Sequence, residues 1–169
     1  AGGTQITTTV PAGATTGTIQ VTTPGGTATS AASFTVIPAP TISSFTPASG
    51  AIGASVTIDG TNFTGATLVK FNTTNQTTFT VNAGGTQITT TVPTGATTGT
   101  FQVTTPGGTA TSAASFTVIQ APTISGFTPT SGGIGASVTI DGTNFTGATL
   151  VKFNTTNQTT FTVNAGGTQ

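Results

Sequence analysis

The sequence predicts an all-β chain made of tandem two-sheet sandwiches. Three observations carry that prediction: an internal repeat, short apolar segments that alternate with period two inside each repeat, and Gly, Pro and Asn turns between those segments. Ala1-Gly-Gly-Thr-Gln-Ile-Thr-Thr-Thr-Val-Pro11 returns at Ala83, and its opening returns again at Ala165, which sets a period of 82 residues. The copies differ at six positions, Ala12/Thr94, Ile19/Phe101, Pro38/Gln120, Ser44/Gly126, Ala48/Thr130 and Ala51/Gly133. Helical spacing of apolar residues is absent. A β-helix also repeats, but on a far shorter period than this one.

Within the central copy, Val, Ile, Phe and Thr supply residues that fit a pleated, half-buried surface. Strands are expected near 41–46, 55–59, 67–72, 77–82, 87–92, 100–104 and 114–119. Alternation along them turns Ile42, Val56, Ile58, Val69, Phe71, Phe79, Val81, Ile88, Val92, Phe101, Val103, Phe116 and Val118 inward. Seven short strands of this kind suit a sandwich with Greek-key connections. The glycine pairs Gly2/Gly3, Gly25/Gly26 and Gly84/Gly85 each fall between two predicted strands, where they serve as turns rather than as phosphate cradles ahead of a helix. Adding a ring inside a tight core usually costs about 1–3 kcal/mol, so the Ile19/Phe101 exchange places that position near a pole or a sheet edge.

Composition removes most chemistry before any motif is sought. The 169 residues carry two lysines and two aspartates and no His, Cys, Met, Trp or Tyr. A general acid–base pair, an activated nucleophile or a zinc site needs titratable or soft groups brought together, and each repeat offers one Asp and one Lys. The chain is expected to be non-enzymatic, with no catalytic, cofactor-binding or metal residues and no cofactor. Calcium stiffening of the joints is not expected either, because hard cations need several oxygen ligands including carboxylates. Nucleic acid is excluded as a partner: two lysines at net charge zero cannot neutralise a run of phosphates. Apolar content is too high and net charge too low for disorder. No apolar run approaches the roughly 20 residues that span a bilayer, and no leader motif opens the segment. Without Cys, bridges say nothing about redox compartment.

Ala39-Pro-Thr-Ile-Ser-Ser-Phe-Thr-Pro-Ala-Ser-Gly-Ala-Ile-Gly-Ala-Ser-Val-Thr-Ile-Asp-Gly-Thr-Asn-Phe63, followed by Val69-Lys-Phe71, Thr91-Val-Pro93 and Ala114-Ser-Phe-Thr-Val118, resembles the IPT/TIG family of immunoglobulin-like (E-set) domains. The most specific elements are Pro47, Gly50 and Gly53 of a Pro-x-x-Gly-x-x-Gly run, the Gly60-Thr-Asn-Phe63 corner and the closing Ser-Phe-Thr-Val. The resemblance implies tandem immunoglobulin-like sandwiches acting as spacers, adhesive modules or receptor ectodomain units. The DNA-contacting role of some relatives needs basic loops, which are missing here.

The family register divides the chain into 1–38, the C-terminal part of one repeat; 39–120, a complete repeat; and 121–169, the N-terminal part of a third. Half a sandwich is not expected to persist alone. Two continuations fit: a window within a longer repetitive protein, or completion of one chain's C-terminal fragment by the next chain's N-terminal fragment. Both run head to tail. Val36-Ile-Pro-Ala-Pro-Thr41 leaves almost no linker between units and restricts the backbone, so the array should behave as a semi-rigid rod.

Asp59, Lys70, Asp141 and Lys152 alternate with inward residues and face solvent, either as surface charges of little weight or as contacts between units. A Lys–Asn isopeptide bond would need Lys70 buried beside an Asn and a carboxylate. Asn62, Asn72, Asn75, Asn144, Asn154 and Asn157 each open an N-x-Thr sequon for glycosylation, and Thr-linked sugar fits the composition equally. The expected function is a structural segment of an extracellular or cell-surface fibre, a stiff spacer whose partner is itself, head to tail, with lateral bundling permitted by the low charge. The alternatives are an adhesive or glycan-binding surface module, and a spacer attached to an enzyme elsewhere in the parent chain.

Overall fold

The computed structural model describes residues 3–168, and among the described residues there are fifteen strands and no helix. No helix among the described residues is therefore long and apolar enough to cross a membrane. The chain separates into two compact units, 1–118 and 119–169.

The first unit opens with a hairpin, β1 (Gly17–Thr23) and β2 (Gly26–Phe34), turned at Pro24-Gly25, with Gly26 as the first residue of the returning strand. Gly26 has a φ of 132°, outside the range that side-chain-bearing residues adopt. Gly3 lies in an irregular stretch, and Gly2 lies outside the described residues.

The complete repeat follows: β3 (Thr41–Thr46), β4 (Ser49–Ala51), β5 (Ser55–Thr61), β6 (Leu68–Phe71), β7 (Thr74–Gln76), β8 (Phe79–Val81), β9 (Gln87–Thr91), β10 (Gly99–Thr105) and β11 (Gly108–Ile119). They form a four-stranded sheet in the order β3-β5-β9-β8 and a five-stranded sheet in the order β4-β11-β10-β6-β7. Two packed sheets with inward alternation make the expected sandwich. Consecutive strands β3 and β4 belong to different sheets; the chain crosses over at Pro47, where the Thr46–Pro47 peptide is cis.

The core is Val56, Ile58, Val69, Phe71, Ile88, Val92, Phe101, Val103, Phe116 and Val118, joined by Phe63 and Ala96. Ile42, Phe79 and Val81 are half-buried at its margin rather than enclosed. Phe63 was absent from the alternating set because it sits on a corner, not a strand. Its amide donates to the Gly85 carbonyl at 2.8 Å, turning the ring inward. β11 begins at Gly108, six residues before the expected start, since Ala110 and Ser112 are small inward residues that carry no strong apolar alternation.

The Ile19/Phe101 position is a correction. Phe101 is neither polar nor peripheral: it is fully enclosed on β10, the middle strand of the five-stranded sheet. Its ring lies edge-on to Phe45 and Phe71, with centroids 4.8 and 4.7 Å apart, and 5.4 Å from Phe116. Such contacts add about 0.5–1.5 kcal/mol each beyond area burial. The ring at 101 thus completes an aromatic cluster, which offsets the crowding that the substitution would otherwise cause.

The second unit holds two hairpin-like pairs: β12 (Thr123–Thr128) with β13 (Thr139–Thr143), and β14 (Val151–Phe153) with β15 (Thr156–Gln158). Their registers reproduce β3 with β5 and β6 with β7, residue for residue at a spacing of 82.

Candidate functional site: corners, charges and the repeat joint

Gly60-Thr-Asn-Phe63 forms the corner between β5 and the loop to β6. A Cβ at Gly60 would overlap the Thr41 carbonyl oxygen, so only glycine lets the two strands close here. Asn62 takes the left-handed conformation, φ 59°, which Asn tolerates better than most residues. Its Nδ2 donates to the Ala39 carbonyl at 2.9 Å, tying the corner to the segment that enters the repeat. Asn144 copies this on Ala121 at 3.1 Å with φ 60°.

The sequons therefore divide by structure. Asn72 is also left-handed, φ 55°, and its Nδ2 donates to Thr97 Oγ1 at 3.0 Å and to the Thr98 carbonyl at 3.4 Å. Asn154 has φ 57° at the same corner of the third repeat. Asn75 and Asn157 instead sit at the middle of the short strands β7 and β15, both exposed. At Asn62, Asn72 and Asn144 the nitrogen that would carry a sugar is already engaged with the chain.

The two charges of the complete repeat lie on different sheets. Asp59 on β5 alternates with buried Ile58, and Lys70 on β6 lies between buried Val69 and Phe71, so each faces outward from its own layer. The Asp59 carboxylate accepts from Gln87 Nε2 at 2.9 Å and Ser44 Oγ at 3.4 Å, both from neighbouring strands of its own sheet. Lys70 is half-buried opposite Gln102 and Asn75. An isopeptide bond would need a carboxylate beside that Lys–Asn pair, and Asp59 belongs to the other sheet. Asp141 on β13 and Lys152 on β14 occupy the corresponding places of the third repeat. Among the described residues no three His, Cys, Asp or Glu side chains gather.

The Gly84-Gly85 pair forms a tight turn: the Gly85 amide donates to the Asn82 carbonyl at 3.0 Å, while Asn82 Oδ1 accepts from the Thr86 and Gln87 amides at 2.8 and 3.1 Å. Those donors are consumed within the chain.

One feature is specific to the junction of repeats. The linker Ile37-Pro38 runs against the turn between β10 and β11, so closely that a Cβ on Gly107 would overlap the Pro38 carbonyl oxygen. Beside this contact an open groove is lined by Val10, Pro11, Phe34, Val36, Pro38 and Pro106, largely apolar side chains from both sides of the joint. Sequence reasoning identified the short linker but missed Gly107, whose need for glycine exists only where two repeats meet.

Two stacked sheets with these strand orders and corners define a tandem immunoglobulin-like sandwich module. The IPT/TIG domain model matches residues 40–118 and 122–168, so the chain belongs to the IPT/TIG domain family. Among solved structures, SGBP-B from a complex xyloglucan utilization locus in Bacteroides uniformis is similar at 27% identity and a TM-score of 0.45, over 64% of this chain and 31% of that one. A structural genomics protein of unknown function from Bacteroides thetaiotaomicron is 23% identical with a TM-score of 0.43, over 52% of this chain and 23% of that one. The plexin A4 extracellular region gives 24% identity and a TM-score of 0.41, over 63% of this chain and 12% of that one. The chain thus spans a third or less of each of these structures. The comparison with curated proteins gave no match.

Proposed function

We propose that this chain is a non-catalytic structural segment, a stiff spacer of repeats continuing head to tail in an extracellular or cell-surface fibre. The observation that carries it is the joint. Ile37-Pro38 leaves no room at Gly107 for even one more carbon, and a linker seated on the domain it enters restricts bending in a way that a flexible tether does not. The near-identity of the copies supports the same role, since a repeated joint propagates one angle along an array. Each repeat brings one carboxylate and one amine on opposite sheets, too few groups for acid–base or nucleophilic chemistry. With so little charge to keep rods apart, lateral bundling accompanies the spacer role.

Glycan binding has less support. It generally uses exposed aromatic platforms, and the exposed large apolar residues within 39–120 are Ile52 and Ile119, not phenylalanines. The exposed rings Phe34, Phe127 and Phe153 are copies of Phe116, Phe45 and Phe71, which pack in the complete core.

Small-angle scattering of the chain and of Gly107→Ala tests the spacer. The expected result is a narrow distance distribution for the parent and a broadened one for the variant, with unchanged strand content. Equal flexibility in both, with a broad distribution in the parent, would overturn it.

A further inference from the structure

The sheet edges of the complete repeat are not equally guarded. β7 and β8 are three residues long, too short to template another chain, and β3 is bulged in its middle, between Ile42 and Ser44. β11 differs. Its neighbour β4 spans three residues and meets it near Thr117, whose amide donates to the Ala48 carbonyl at 3.0 Å. From Gly108 to Thr111 the ladder is regular, and β10 covers one side only.

The parity of that ladder tells which backbone groups are free. Thr105 and Gly108 flank the two-residue turn Pro106-Gly107 and so form a hydrogen-bonded pair. The N–H and C=O of Gly108 and Ala110 therefore point to β10, and those of Thr109 and Thr111 point away from it. Between Thr111 and Ser115 β11 takes two residues more than β10, which preserves the alternation. Thr117, also odd-numbered, does send its amide to the β4 side. No charge or proline guards this stretch: Gly108-Thr-Ala-Thr-Ser-Ala-Ala-Ser115 carries neither, while Asp59 and Lys70 project from the flat faces of the two sheets. Beside it opens a groove of about 310 Å³ whose lining includes Ile42, Ser44, Phe45, Ala48, Ser112 and Ser115. Two of these positions differ between copies, Ser44/Gly126 and Ala48/Thr130, and stay uncharged in both.

We propose that residues 108–111 of β11 pair antiparallel with the same segment of a second copy lying alongside, joining two five-stranded sheets edge to edge. The edge is its own complement. Setting Thr109 opposite Thr111 of the second copy, and Thr111 opposite its Thr109, matches each free N–H with a C=O and puts the two Ala110 residues on a two-fold axis. A shifted register leaves some of those groups unpaired. One such contact is small, but the 82-residue period repeats the edge along an array, where simultaneous contacts multiply. This inference rests on the lateral bundling proposed above and names its surface and its polarity: neighbouring rods run in opposite directions.

The test uses the full chain, which has no cysteine of its own. Thr109→Cys and Thr111→Cys chains, both altered at exposed positions and one carrying a mass tag, are mixed in equal amounts and mildly oxidised, so that a weak contact is trapped. The register puts the unlike thiols at the Cα separation that antiparallel pairs and disulfides share, and like thiols roughly 8 Å apart, beyond disulfide reach. Heterodimer is expected to exceed either homodimer at least about tenfold. Asn75→Cys, on the short edge strand β7, is expected to give no more dimer than either homodimer. A tenfold excess of unmutated chain should suppress the heterodimer. The same excess of Thr111→Pro should not, because proline removes an amide that faces the second copy and is unused by the ladder to β10. Equal homodimers and heterodimer, no crosslink, as much dimer from Asn75→Cys, or equal competition by both chains would overturn the proposal. Loss of the crosslink from chains that keep a rigid joint would defeat only this inference, whereas paired chains with flexible joints would defeat only the spacer.

Discussion

At the scale of single residues, glycine and phenylalanine carry different burdens. Gly60 and Gly107 are needed because a backbone carbonyl occupies the space of a side chain, and carbonyls held in place by neighbouring structure do not give way as a flexible side chain does. Gly60→Ala should therefore lose about 1–3 kcal/mol or more by denaturant unfolding, while Gly107→Ala should leave the repeat's stability nearly unchanged and alter only the joint. Phe101 illustrates the opposite case, a large side chain that the structure can exchange. Phe101→Ala should cost about 3–5 kcal/mol by opening a cavity among three rings. Phe101→Ile, the residue found at position 19, should cost less, because it fills part of that cavity while still forfeiting the ring contacts, and an equal loss for both substitutions would show that the ring contacts rather than the cavity set the cost.

Elements show what a strand needs beyond its own residues. Gln-Ile-Thr-Thr-Thr occurs at 5–9 and at 87–91 with the same sequence, yet only the second copy is a strand, flanked by β5 and β8. Likewise Ser49–Ala51 pairs with β11, while 131–133 is irregular. Local hairpins behave differently: β6 with β7 and β14 with β15 form in both contexts, since a two-residue turn brings their partners together. Amide hydrogen exchange on dilute chain should find the amides of 88–91 protected and those of 6–9 exchanging rapidly; equal protection at low concentration would contradict this dependence. The same elements rank the sequons. In a glycosylating host, peptide mass mapping should find sugar at Asn75 and Asn157 before Asn62, Asn72 or Asn144, whose amide nitrogens already hold corners together.

For the whole molecule, the scarcity of charge leaves apolar burial and backbone pairing as the forces available to the proposed head-to-tail array. Self-association should accordingly be nearly insensitive to salt between roughly 0.05 and 0.5 M, a range over which contacts between exposed charges are progressively screened. A steep fall in sedimenting mass with salt would point instead to Asp59, Lys70, Asp141 and Lys152 as the contacts between units.

Much of this was legible before any coordinates. Period-two alternation named ten of the buried core residues of the complete repeat, because strand geometry sends successive side chains to opposite faces whatever their partners. Phe63 and the enclosure of Phe101 were not legible, one because a corner has no period, the other because neighbouring rings from three other strands define its surroundings.

By itself the sequence determined the repeat, the two-sheet architecture and the near-absence of reactive groups. The tertiary structure alone decided which identical segments become strands, which asparagines are locked into corners, and that Gly107 seats the linker. Those outcomes depend on groups brought together from distant parts of the chain, and a ladder or a close carbonyl contact exists only when both of its sides are present.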